Sequence, residues 1–116
     1  MAVKPNYELL KKASADLGLN FETQDWGIIN SSSSRILDFM DYFHSCKHEN
    51  QSIQYELFDL IVASFNDAIV EDKSNFKLVK TFVDFIANNH NNELFAPILD
   101  YWRGIRNQDY PVGFFW

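Results

Sequence analysis

Apolar residues recur at three- and four-residue spacing in five stretches of this chain, separated by polar breaks. That is the period of one helical face. The first stretch starts at Pro5-Asn6, carries Tyr7, Leu9, Leu10, Ala13 and Leu17, and meets Gly18, so a helix over 6–17 closed by glycine is expected. Residues 19–34 keep neither helical nor strand period and end in the run Ser31 to Ser34. They read as a connector whose Ile28 and Ile29 tuck under the body and whose last serines cap the next helix.

A second helix is expected over 35–46, with Ile36, Phe39, Met40 and Phe43 as its stripe. Past the break 47–51, Ser52 is placed to cap a third helix running to about residue 69 on Ile53, Leu57, Leu60, Ile61, Ser64, Phe65 and Ala68. Its other side would carry Ser52, Glu56, Asp59, Ala63, Asn66 and Asp67 to solvent. The break 71–75 leads to a fourth helix with Phe76, Val79, Phe82, Val83 and Ile86 on one face and Leu78 and Phe85 widening it. So wide a face predicts a helix covered on two sides, near the middle of the fold. After the turn Asn88 to Asn92, a fifth helix carries Leu94, Ile98, Tyr101, Trp102 and Ile105, with Pro97 leaving its first turn open. Residues 110–116 are too aromatic for a free tail and too broken by Pro111 and Gly113 to be helix. Phe114, Phe115 and Trp116 are expected to cap an open end of the helices, and Trp26 and Trp102 to lie in the core. No stretch alternates as a strand would, so residues 1–116 are expected to form a single all-α domain of about five helices. The segments FMDYF and ELFDLI are matched by FVDFI and ELFAPI some forty residues on. Repeated helix pairs of that length suggest two HEAT-like hairpins after an N-terminal helix; a simple helical bundle is the alternative.

Composition narrows the function. The 116 residues are 47% hydrophobic and 16% aromatic, enough for one core. Sixteen acids against ten bases give a net charge of −6, which disfavours phosphate backbones and anionic membranes. The excess is not spread evenly: residues 1–47 carry −1 and 73–116 carry +1, while 48–72 hold Glu49, Glu56, Asp59, Asp67, Glu71 and Asp72 and no Lys or Arg. An acidic stripe of that kind attracts and steers a basic protein partner. Glu49, Tyr55, Glu56, Asp59, Asp67, Glu71 and Asp72 are therefore the candidate partner-binding residues, and neither a nucleic acid nor a membrane is expected as partner.

Other chemistry is thinner. His44 and His48 have the i, i+4 spacing of two metal ligands, with Cys46 and Glu49 beside them, but no further ligand pattern completes a site, and neither a metal nor a cofactor is expected. Asp38, Asp41 and Asp84 could pair as catalytic carboxylates only by converging in one cleft; acids on the outer face of helices are otherwise solvated, and no enzyme is expected. Lys73, Lys77 and Lys80 share one face but form a modest basic patch. No segment has the basic-then-apolar pattern of a signal peptide, no run approaches the roughly 20 apolar residues of a membrane span, and the lone Cys46 has no internal disulfide partner. A cytoplasmic location is the expectation.

In size, charge, helix pattern and these paired segments the chain resembles small acidic bacterial immunity proteins of contact-dependent growth inhibition and related polymorphic toxin systems, some of which are all-helical or HEAT-like. The resemblance implies that it binds a cognate toxin domain, commonly a nuclease with a basic substrate face, and blocks its active site or a neighbouring surface. It carries over no functional residue. A phage-type inhibitor or acidic adaptor, and a small metal-binding protein or enzyme, are the alternatives.

Overall fold

The computed structural model describes residues 6–46 and 51–116. Among them the chain forms six α-helices and one 3-10 helix and no strand: α1 (Tyr7–Leu17), α2 (Trp26–Ile29), α3 (Ile36–Ser45), α4 (Gln51–Val70), α5 (Phe76–Asn89), α6 (Ala96–Gly104) and the 3-10 helix Pro111–Phe115. The fold is all-α, as the periodicity predicts. No helix among the described residues is long and apolar enough to cross a membrane.

Local chemistry sets most boundaries. Asn6 Oδ1 accepts from Leu9 N at 3.1 Å at the start of α1, and Gly18 closes it at φ 68°. Asn75 caps α5 in the same way, accepting from Leu78 N at 2.8 Å. Pro97 falls in the first turn of α6, where its missing N–H costs no helical hydrogen bond. The stripe Ile36, Phe39, Met40 and Phe43 of α3 is wholly buried.

The middle of the fold is α4. Phe58, Leu60, Ile61, Val62 and Phe65 point in successive directions around it and all are fully buried. A helix that is apolar all round must be wrapped on all sides: α2, α3, α1 and the 3-10 helix pack directly on it. Aromatic rings connect it to the rest. Phe58 stacks on Phe95 at 4.2 Å and Phe65 on Phe82 at 4.0 Å, while Phe43 meets Phe85 edge-on at 5.2 Å. The expected central position of the fourth predicted helix is thereby corrected. That helix, α5, is peripheral, with Phe76 and Val83 facing solvent.

Three further expectations give way. Residues 19–34 contain α2, and there Trp26 and Gly27 are the buried pair while Ile28 and Ile29 are exposed. The serines do not cap α3, whose N-cap is Arg35 with no side-chain bond. Instead Ser32 N donates to Ser64 Oγ at 3.0 Å and the Ser31 and Ser33 hydroxyls donate to Asp67 and Glu71. Ser52 is a buried residue inside α4, not its cap. The matched segments also differ in structure, because Glu56–Ile61 lies within α4 while Glu93, Leu94 and Phe95 form the turn before α6.

Phe115 and Trp116 cover the core as expected. Phe115 meets Phe65 edge-on at 5.4 Å and the Trp116 indole N–H donates to the Leu99 carbonyl at 3.0 Å, whereas Phe114 is exposed. Gly113 allows this segment its close approach. A Cβ there would fall 2.2 Å from the Trp102 carbonyl oxygen, a backbone atom that cannot rotate away. Gly104, by contrast, has open space around it. Gly113→Ala is therefore expected to destabilise the fold by about 2 kcal/mol or more. Gly104→Ala should be neutral or stabilising by up to about 1 kcal/mol. Urea unfolding midpoints of the two variants check both signs.

Candidate functional site

The polar residues of α4 do not form a solvated stripe. Ser52, Ala63 and Asn66 are buried, and no buried side-chain N or O among the described residues lacks a hydrogen-bond partner. Asn66 Oδ1 accepts from Val112 N at 3.1 Å, Gln54 Nε2 donates to the Phe43 carbonyl at 3.1 Å, and Asp59 Oδ1 accepts from the Trp102 indole at 3.0 Å. Each polar position thus fastens a different neighbouring segment to the central helix.

The candidate acids consequently separate into two groups. Asp67, Glu71 and Asp72 lie toward the C-terminal end of α4, with Asp67 and Glu71 engaged by Ser31 and Ser33 and Glu71 also paired with Lys73 at 3.1 Å. Asp72 is exposed, with φ 56°. Tyr55, Glu56 and Asp59 lie about 12 Å back along the helix, measured from Asp59 to Asp67, where α2 and α6 cross it. Glu49 and His48 are outside the described residues. Among the described residues no three His, Cys, Asp or Glu side chains are grouped to hold a metal ion. Of the catalytic carboxylates considered, Asp84 lines a shallow depression with His44, whereas Asp38 pairs with Arg35 at 3.4 Å and Asp41 is exposed. Lys73 and Lys80 of the basic patch are paired with Glu71 and Asp84.

Two adjoining depressions flank the Tyr55–Glu56–Asp59 group and share Ile28 and Tyr101 as their common rim. The smaller, about 330 Å³, has Asp25 and Asp59 as its carboxylates and Tyr55, Tyr101, Ile28, Pro97 and Ile98 as its walls. The larger, about 580 Å³, runs past Trp102 to Arg106, Asn107 and Tyr110. Ile28, Tyr101 and Tyr110 are exposed large apolar residues at 42%, 54% and 45%. Single exposed residues of this kind are ordinary, but here they border concave surface.

Close approach builds the site. Gly27 lets α2 lie directly on α4: a Cβ there would come within 2.8 Å of Leu60 N and 3.1 Å of Asp59 Oδ2. The residue before α2, Asp25, adopts φ 55° and ψ 32° and makes no side-chain cap bond. A left-handed backbone is uncommon outside glycine, although Asp tolerates it better than most. The Asp25 carboxylate lines the smaller depression instead.

The electrostatics are one-sided. Burial pushes the Glu56 carboxyl up to about 7, with the Asp59 charge adding to it. Asp59 is also raised, chiefly by burial; the Trp102 indole opposes that and the Asp25 charge reinforces it. The Tyr55 hydroxyl is raised by burial and by these same two acids. None of the ion pairs among the described residues includes Asp25, Glu56 or Asp59. The site is therefore a hollow where two carboxylates stand beside tyrosine and aliphatic side chains with no paired cation among the described residues, and a positive group is its complement.

Tyr55 and Asp59 from the acidic segment line the smaller depression, together with Asp25, Ile28 and Tyr101, which the sequence pattern does not single out as candidate binding residues. Only the glycine at position 27 hints that residues 25–28 press on another element. No family model matches the chain, and no curated protein or solved structure matches it significantly.

A pH dependence follows from Glu56. Its ordinary value is 4.5 and its folded value about 7, so between these the folded chain keeps a proton that the unfolded chain has released. Stability from this source is complete below the lower value and is lost as the pH rises through about 7. The lowered carboxyls of Asp16 and Glu71 act oppositely, at the acid end. The urea midpoint is expected to fall between about pH 5 and pH 8, and Glu56→Gln should remove most of that fall. An unchanged slope in the variant would show that Glu56 ionises freely in the folded protein.

Proposed function

We propose that this chain is a protein-binding inhibitor, an immunity protein that binds and neutralises a cognate bacterial toxin domain in the cytoplasm. The observation that carries the reading is the hollow beside α4, where Asp25 and Asp59, with Glu56 one helical turn from Asp59, have no ion-pair partner among the described residues and share a rim that includes exposed Ile28 and Tyr101. Buried aromatic and aliphatic anchors with complementary charge are what a tight protein interface uses. A toxin nuclease, whose substrate face must be basic to hold phosphates, is a partner of matching sign.

The segment 48–72 adds support at longer range, since it has six acids and no base. Asp67 and Glu71, already engaged by serine hydroxyls, contribute field more than contact. Such a field raises the association rate. Contact falls instead to the cleft, where the proposed binding residues are Asp25, Ile28, Tyr55, Asp59 and Tyr101, and to Glu56 next to Tyr55 on α4.

The test is to co-produce the chain with the protein encoded by the neighbouring gene. The expected result is relief of growth arrest and a stoichiometric complex. The double neutralisation Asp25→Asn with Glu56→Gln should slow association by about tenfold at low salt and flatten its ionic-strength dependence. If the neighbouring product neither arrests growth nor binds, or if the double variant associates at the wild-type rate at every salt concentration, the reading is overturned.

A further inference from the structure

We infer that the smaller depression is a seat for one guanidinium group, an arginine side chain presented by the partner. The inference rests on the proposed function for its biological source but on the geometry of the hollow for its chemistry. A volume of about 330 Å³ is near the lower limit of roughly 300 Å³ for pockets that enclose small-molecule ligands, which suits a side chain better than a cofactor. Asp25 occupies the N-cap position of α2 without capping it, so its carboxylate is free for the hollow. Asp59 uses Oδ1 to hold the Trp102 indole, and no cation among the described residues pairs with either acid.

The walls decide the kind of cation. Tyr55 and Tyr101 bring two phenol rings to the hollow, and Ile28 and Pro97 add aliphatic surface. A planar guanidinium lies flat on a ring while its edge donates to carboxylates, and its methylene stem covers apolar surface. An ammonium, more strongly hydrated, gains less from such walls. Calcium wants six to eight oxygens, whereas the lining offers two carboxylates among mostly apolar side chains. The walls are also held in advance of binding: the Tyr101 ring meets Trp102 edge-on at 5.8 Å, and Trp102 is fixed by Asp59. A preformed seat loses little entropy on filling. The burial-raised carboxyl of Asp59 would release its proton to an arriving cation, so occupancy should strengthen as the pH rises.

The probe is a capped Gly-Arg-Gly peptide titrated into the full chain at low ionic strength, followed by nitrogen-15 NMR, with the citrulline peptide as the uncharged isostere. Saturable shifts are expected at the Trp102 indole and the Gly27 and Tyr101 amides, with the Trp26 and Trp116 indoles unmoved and the citrulline peptide inert. Asp25→Asn and Tyr101→Ala, both exposed positions whose exchange leaves the core intact, should each weaken binding by about fivefold to tenfold. Shifts that never saturate, that citrulline reproduces, or that survive both variants overturn the seat even if a toxin partner is found. Peptide binding lost in both variants upholds the seat even if the neighbouring gene product does not bind, and that second result removes only the immunity reading.

Discussion

Everything in this fold depends on satisfying one helix that is buried on all sides. With Leu57, Phe58, Leu60, Ile61, Val62 and Phe65 fully covered, α4 needs a complete jacket, and each covered side chain is worth about 1.5–3 kcal/mol. The polar residues between them are wholly or partly shut off from water, and a buried one without a partner costs about 1–3 kcal/mol. They solve the problem by holding the jacket. Gln54 takes the end of α3, Asp59 takes α6, Ser64 takes the serine run and Asn66 takes the 3-10 helix. Apolar burial drives assembly, and the directional bonds choose which segment lies where.

This arrangement also explains what the sequence conceals. Helical period, the Asn6 and Asn75 caps, Gly18 and Pro97 are local signals, and the elements they mark lie close to where the pattern puts them. The α3 stripe is equally legible because one face of an amphipathic helix declares its own burial. The role of α4 is not legible in the same way. Asn66 and Asp59 are polar, and periodicity assigns polar residues to water, whereas tertiary contacts with Val112 and Trp102, more than forty residues away, turn them inward. The serines of 31–34 mislead for a related reason. Their cap chemistry is real, but acids on a distant helix compete for the same hydroxyls and win.

The acidic excess takes on a different physical meaning in three dimensions. A stripe of six acids on a solvated face would repel itself with little else to show. Here Asp67 is anchored by the neutral Ser31 hydroxyl, which satisfies an oxygen without cancelling the charge, whereas Glu71 shares its carboxylate between the Ser33 hydroxyl and Lys73. Glu56 and Asp59 occupy poorer dielectric and repel one another, which raises the energy of their charged forms. A site so loaded gains from any cation that fits it, and its apolar rim limits which cations do.

The attachment of α5 differs in kind from all of this. The hydrogen bonds of its side chains among the described residues stay within the helix and its flanking turns, and it is held to the body by ring contacts such as Phe82 on Phe65 and Phe85 on Phe58. Ring contacts set distance better than direction, and their hydrophobic part weakens on cooling, unlike the bonds that fasten α6 and the serine run. The molecule therefore has a seam whose strength follows temperature differently from the rest. Cooling is expected to weaken the attachment of α5 more than that of the elements stitched to α4 by directional bonds.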